Sequence, residues 1–374
     1  MNIHHCCTLR NLILAAVLSI GSASPALAQE RAVFVDLNSK EATALGTLGG
    51  YFSLAYGING AGQVVGNSET YNGAPHAFIT GPDGVGMTDL GTLGGYRSEA
   101  YGINDAGQVV GYSETANGQY HAFLTGPDGI GMTDLGTLSG DLSWAYGIND
   151  LGQVVGVSGT DNGQTHAFIT GPDGAGMTDL GTLGGDFSIA YGINDLGQVV
   201  GFSQTDSGVN HAFITGPDGA GMTDLGTLGG DYSLASGINA AGQVVGYSYT
   251  DNGGTGHAFI TGPNGVGMTD LGTLGGPNSE AHGINDAGQV VGNSLSDTGQ
   301  SHAFITGPDG AGMTELASLV NPPPGFTDFS YATAINNKGQ LVAMATVVPE
   351  PEMYAMLLLG LGLIGLLARG RATA

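Results

Sequence analysis

The tripeptide Gly-Ile-Asn recurs at Gly57, Gly102, Gly147, Gly192, Gly237 and Gly283, so one passage is written six times at a spacing of 45 residues, with a single interval of 46. The longer interval contains TDNGGTGHAF, which holds one extra residue. A period of this size signals a solenoid or a propeller and has to be read before any local assignment. Within residues 98–138 one copy reads as four short strands, SEAYGIN, QVVGYSE, HAFLTG and MTDLGTL. They are joined by DAG, TANGQ, PDGIG and SGDL, which accept turn geometry, with glycine supplying positive φ. No helical periodicity or helix cap occurs in the repeats. The expected fold is all-β, and four strands in about 45 residues is the size of one propeller blade.

Both faces of these strands carry apolar or small residues. In HAFLT, His121, Phe123 and Thr125 point one way and Ala122 and Leu124 the other. A sheet with one wet face would show polar residues at every second position. Four-stranded antiparallel blades stacked face to face explain their lack, with Ala and Gly admitting the neighbour's Phe, Ile and Tyr. A parallel β-solenoid also buries both faces and is the alternative, although its coils are usually shorter and need no four-strand meander. The residues outside the copies suit a closed ring. YATAINNKGQLVAMAT restarts the first two strands of a seventh unit, with Ala334-Ile335-Asn336 in place of Gly-Ile-Asn. RAVFVDLNSKEATALGTLGG resembles the last two strands, with Phe34 in place of the phenylalanine of His-Ala-Phe. Joined, they complete a seventh blade from the two chain ends and remove exposed sheet edges. These motifs resemble the HAF-repeat family of extracellular proteins across nearly all of the mature chain, a resemblance that supports the repeat and brings little established activity.

The domain organisation expected is an export signal at 1–28, a propeller at 29–347 and a sorting segment at 348–374. Residues 1–28 combine a weakly basic start, the apolar NLILAAVLSIG and the small-residue SPALA before Gln29. Cys6 and Cys7 fall in this part, ahead of the apolar stretch, so the mature chain has no cysteine for a disulfide or a thiolate metal site. At the other end, Pro349-Glu350-Pro351 precedes an apolar run closed by Arg369 and Arg371. That run can span a tilted or thinned bilayer, and the arginines favour a cytoplasmic tail; a simple membrane anchor is one reading. The pattern resembles the PEP-CTERM sorting signal of Gram-negative bacteria. The resemblance implies signal peptidase and exosortase as processing partners, transient anchoring in the inner membrane through the C-terminal helix, and a final place at the cell surface, outer membrane or matrix, often beside exopolysaccharide. Two spaced arginines followed by three small residues depart from the tighter arginine cluster of many members.

Charge narrows the partners. The chain has 32 acidic and 7 basic residues and a formal net charge of −25, which argues against nucleic acid, whose phosphates need clustered Lys and Arg. His76, His121, His166, His211, His257 and His302 occupy one position in every copy. Imidazoles on a ring could line a central channel and share a metal, but six-fold repetition favours a structural role, each ring satisfying a turn carbonyl or a blade-edge aspartate. The asparagines equivalent to Asn59 are expected to close the first strand, where a short amide can tolerate left-handed backbone and hydrogen-bond the turn. Carboxylates at Asp83, Asp89 and their equivalents could ligate calcium, yet no EF-hand or RTX-type nonapeptide occurs. No nucleophile with its base, HExxH or phosphate loop is present, so the protein is expected not to be an enzyme and no cofactor is assigned.

In a four-strand meander, the first and third connections share one rim of the ring, and here they scarcely vary. The second connections and the links between blades share the opposite rim, where nearly all variation lies. That rim carries Tyr51, Phe52, Tyr96, Arg97, Tyr120, Trp144, Phe187 and Tyr232, and variable loops on a rigid frame fit recognition. Aromatic faces beside amides and carboxylates suit sugar rings. The expectation is a non-catalytic, exosortase-sorted surface or matrix protein that binds extracellular polysaccharide or envelope protein through this rim. The alternatives are a purely structural matrix component without a specific ligand, and a loop-borne glycan hydrolase or lyase.

Overall fold

The first copy forms an antiparallel meander of Gly49–Ile58, Val64–Thr70, Pro75–Ile79 and Thr88–Asp89. The meander recurs in each later copy and ends with Gly275–Ile284, Val290–Ser296, Ser301–Thr306 and Met313–Glu315. This computed structural model describes residues 30–250 and 254–347; the expected export and sorting segments lie outside the described residues. Residues Glu30–Ala345 constitute one compact unit.

The seventh blade is built from both ends of that unit. Phe326–Ile335 and Gln340–Val347 supply its first two strands, and Glu30–Asp36 with Glu41–Ala44 the last two, all hydrogen-bonded in that order. It packs on its two neighbours as any other blade does. Phe34, Val342 and Met344 meet Ala55, Val64 and Phe78 of the first blade, and Val33 and Leu341 share a core with Val291 and Ile305 of the sixth. Between ordinary blades the same contact repeats: Val65, Ala77 and Ile79 face Ala100, Val109 and Phe123, and Val110, Ala122 and Leu124 face Ala145, Val154 and Phe168. Both sides of each sheet are therefore dry, and the protein is a seven-bladed propeller rather than a solenoid.

A circuit of hydrogen bonds runs around the ring. Asn59 Nδ2 donates to the Asn104 carbonyl at 3.0 Å. Asn104, Asn149, Asn194, Asn239 and Asn285 each repeat this bond to the next blade's asparagine at 3.1–3.3 Å. Asn336 closes the circuit, donating to the Asn59 carbonyl at 2.9 Å. Each amide also ties its own turn: Asn59 Oδ1 accepts the Gln63 N–H at 2.9 Å and Nδ2 donates to Gln63 Oε1 at 2.8 Å. The short amide tolerates left-handed backbone, but these asparagines do not adopt it; glycines such as Gly62 (φ 76°) take that conformation. The side chain is needed for the seam between blades.

Three local features differ from the strand pattern read in the sequence. Outer strands are short, Met132–Asp134 in the second blade, because the following Gly-Thr-Leu leaves the sheet to reach the next blade. Inner strands start earlier, Gly94–Ile103 in that blade, so the variable links are partly strand. The inner strand bulges between Ala100 and Gly102, which drives the Glu99 carbonyl against Gly111, where a Cβ would collide with it. Glycine in the Val-Val-Gly of each copy is fixed by that bulge.

Candidate functional site

The first strand of every blade faces the ring axis, where two cavities of about 440 and 600 Å³ lie end to end. Both are bounded by the same collar of seven isoleucines, Ile58 and its equivalents through Ile335. Since each inner strand runs from the variable rim toward the Gly-Ile-Asn turn, one cavity opens on the variable rim and the other on the constant rim.

The constant-rim half is acidic. Asp105 Oδ1 accepts the Gly60 N–H at 2.7 Å, Asp150 accepts from Asp105 at 2.9 Å and Asp195 from Asp150 at 3.0 Å. Asp286 accepts the Ala240 N–H at 3.0 Å. Burial pushes the Asp150 carboxyl up, and the charges of Asp105 and Asp195 push the same way against the opposing Asp105 N–H bond.

Aromatic side chains dominate the other half. Tyr56, Tyr101, Tyr146 and Tyr191 come from four consecutive blades and stand ring to ring, with centroids 4.9, 5.2 and 5.1 Å apart. The remaining blades place Ser236, His282 and Thr333 there, so the arc is one-sided. Burial raises all four tyrosine hydroxyls, Tyr191 to about 12, which keeps them neutral hydrogen-bonding groups through the physiological range.

Most of the rim residues read from the sequence gather around this arc. Arg97 Nη2 donates to Glu99 Oε1 at 2.9 Å and the Tyr101 hydroxyl to Glu99 Oε2 at 2.9 Å. Tyr112 lies 5.3 Å from Trp144 and 5.7 Å from Tyr120 between ring centroids. Arg97 Nε and Trp144 Nε1 are buried without a hydrogen-bond partner. A second group joins Phe187 to Phe202 at 5.6 Å, Phe202 to Tyr191 at 6.1 Å and to Tyr232 at 6.4 Å, and Tyr232 to Tyr249 at 5.3 Å. Tyr51 and Tyr96 stand apart, 73% and 59% exposed, with their backbone N–H groups bonded to Glu69 and Glu114. Phe52 is half-buried beside Tyr51, and its carbonyl accepts the Ser68 hydroxyl at 2.9 Å. The channel tyrosines, Tyr112, Phe202 and Glu99 were missed in the sequence. The available signal was the Tyr preceding four Gly-Ile-Asn motifs, which reads as ordinary strand until the axis is known.

The repeat histidines lie elsewhere and line neither cavity. Nδ1 of His76, His121, His166, His211 and His257 bonds Asp89, Asp134, Asp179, Asp224 and Asp270 at 2.7–2.9 Å, and Oδ1 of each aspartate accepts the N–H of a glycine two residues on at 2.7 Å. This ties the third strand to the outer one. A shared metal among the six imidazoles on the axis is not the arrangement found. His302 departs from the pattern, facing Glu315 and Asp328.

Fold and site together define a closed seven-bladed propeller with one acidic and one aromatic channel mouth. Residues 347–372 match the PEP-CTERM protein-sorting motif, a span that includes Pro349, Glu350, Pro351, Arg369 and Arg371. The chain is thus an exported protein, transiently anchored in the membrane and processed by an exosortase. Among the described residues no helix is long and apolar enough to cross a membrane. No curated protein matches the sequence. Among solved structures, the β-propeller domain of the Trilobed protease from Pyrococcus furiosus, described as having an open velcro topology, aligns with a TM-score of 0.52 at 10% identity, covering 80% of this chain and 93% of that one. A TolB from Agrobacterium tumefaciens aligns with a TM-score of 0.49 at 11% identity over 86% of this chain and 99% of that one. TolB from Acinetobacter baumannii gives 0.47 at 12% identity over 66% and 61%. At 10% identity the likeness to the Pyrococcus furiosus domain is one of fold.

Proposed function

We propose that this is a non-catalytic surface or matrix propeller that binds extracellular polysaccharide in the aromatic half of its channel and on the adjoining variable rim. The observation that carries the reading is the one-sided arc of Tyr56, Tyr101, Tyr146 and Tyr191 facing the channel, with the rings of Tyr112, Tyr120 and Trp144 packed beside it. Pyranose C–H faces stack on aromatic rings while their hydroxyls find Glu99, Arg97 and the neutral tyrosine hydroxyls. A polymer suits an open, one-sided arc better than a closed pocket.

Titration of the purified full-length protein with the producing cells' own polysaccharide should give a saturable isotherm. Trp144→Ala and Tyr112→Ala should each weaken it about tenfold or more, the loss of one stacked, desolvated contact, with circular dichroism unchanged. Flat isotherms at millimolar sugar, or tight capture of an envelope protein instead, would remove this reading.

A further inference from the structure

The geometry points to a divalent transition-metal site of the zinc class formed by His302, Glu315 and Asp328, on the side of the ring where the sixth blade meets the terminal one. Two departures from the repeat create it. Where the five preceding copies have aspartate, the sixth has Glu315, one methylene longer. The Asp-Leu-Gly-Thr-Leu-Gly-Gly link is also replaced by ELASLVNPPPGFTDF, whose strand Phe326–Ile335 brings Asp328 to the same imidazole.

The result is one nitrogen and two carboxylate oxygens from three different strands. His302 Nδ1 lies 2.7 Å from Asp328 Oδ2 and 3.1 Å from Glu315 Oε1, and donor atoms of all three residues fall within 4.8 Å of one another. Despite those short distances Nδ1 is buried without a hydrogen bond, because neither oxygen lies along its N–H direction. The five other repeat histidines have well-aligned bonds to their aspartates. An imidazole flanked by two off-axis carboxylates is the arrangement a cation between them would organise. The set also carries two negative charges that a divalent ion would neutralise.

The first shell has support and access. The Phe329 N–H donates to Asp328 Oδ1 at 2.8 Å, which orients the carboxylate and leaves Oδ2 for the ion. Side-chain exposures of 15%, 42% and 31% for His302, Glu315 and Asp328 leave an entry path and room for a water in the remaining position. Imidazole with carboxylates favours zinc over calcium, which prefers an all-oxygen shell, and metal–ligand distances near 2.0–2.2 Å require these donors to part by only a few tenths of an ångström.

The test is equilibrium dialysis of the full-length, chelator-stripped chain against Zn²⁺. One tight site per chain is expected, weakened at least tenfold in Glu315→Gln and Asp328→Asn and unaltered in His166→Ala, whose imidazole belongs to the ordinary pattern. Loading the wild type with Co²⁺ should give visible d–d bands that Zn²⁺ displaces, a readout independent of whether any variant folds. Absence of saturable Zn²⁺ binding, absence of those bands, or affinity unchanged in both carboxamide variants would overturn the site. Polysaccharide binding in the channel is a separate property and stands or falls by its own titration.

Discussion

At the residue scale, the repeat is governed by backbone positions that few side chains can occupy. The central residue of each Pro-Asp-Gly turn is left-handed, with φ of 52–55°, and its fifth representative is Asn264 rather than a third residue type. Asp and Asn visit this region at low cost because a short polar side chain can bond locally. The side chain also reaches across blades: Gln153 Nε2 donates to Asp218 Oδ1 at 3.3 Å, and Gln198 Nε2 to Asn264 Oδ1 at the same distance. Asp218→Asn should therefore be nearly neutral in urea unfolding, whereas Asp218→Ala should cost about 2 kcal/mol from backbone strain plus the lost bond. On the constant rim, Asp150→Asn keeps the acceptor for the Asp105 N–H and removes a carboxylate whose ionised form the fold disfavours. That variant should melt slightly higher than wild type at pH 7, and the advantage should narrow as the pH is lowered and Asp150 itself becomes protonated.

At the element scale, the inner strands carry two messages in alternate side chains. Ala100 and its equivalents turn into the blade interface, and this much was legible as the apolar two-sided pattern. The tyrosines turn to the axis, which has no signature in one strand read alone, since Ala-Tyr-Gly-Ile fits any buried strand. Only the ring gives Tyr56, Tyr101, Tyr146 and Tyr191 a common environment. Their raised hydroxyls have a thermodynamic consequence. In the unfolded chain these groups ionise near pH 10, while in the fold they retain their protons to higher pH, Tyr191 to about 12. The folded state then binds more protons, so stability is fully present below pH 10 and falls as pH rises above it, by up to about 1.4 kcal/mol per pH unit for each such group. Melting temperatures measured from pH 9 to 12 should drop steeply above 10, and Tyr→Phe at positions 101 and 146 together should flatten the decline.

At the scale of the whole molecule, the two ends of the described chain close the ring. Residues 331–346 and 31–50 could be recognised as halves of one unit because each keeps part of the motif, Ala334-Ile335-Asn336 on one side and Phe34 on the other. The hydrogen-bond circuit and the His302 cluster could not, since both depend on which blades become neighbours across 277 residues in one case and on an irregular link in the other. If the seam is equivalent to any other interface, Asn336→Ala and Asn149→Ala should lower unfolding free energy alike, by about 2–4 kcal/mol for the loss of several buried bonds. A silent Asn336→Ala would mean an open ring. The aromatic channel mouth exists only because the ring closes, and the chain's single tryptophan, Trp144, packs against Tyr112 beside the channel residue Tyr101. Fluorescence of that residue during titration with the producer's polysaccharide is the most direct measurement. A saturable change in Trp144 emission, with the same midpoint as calorimetric binding, is predicted; binding that leaves the emission untouched, or no binding at all, would contradict the account.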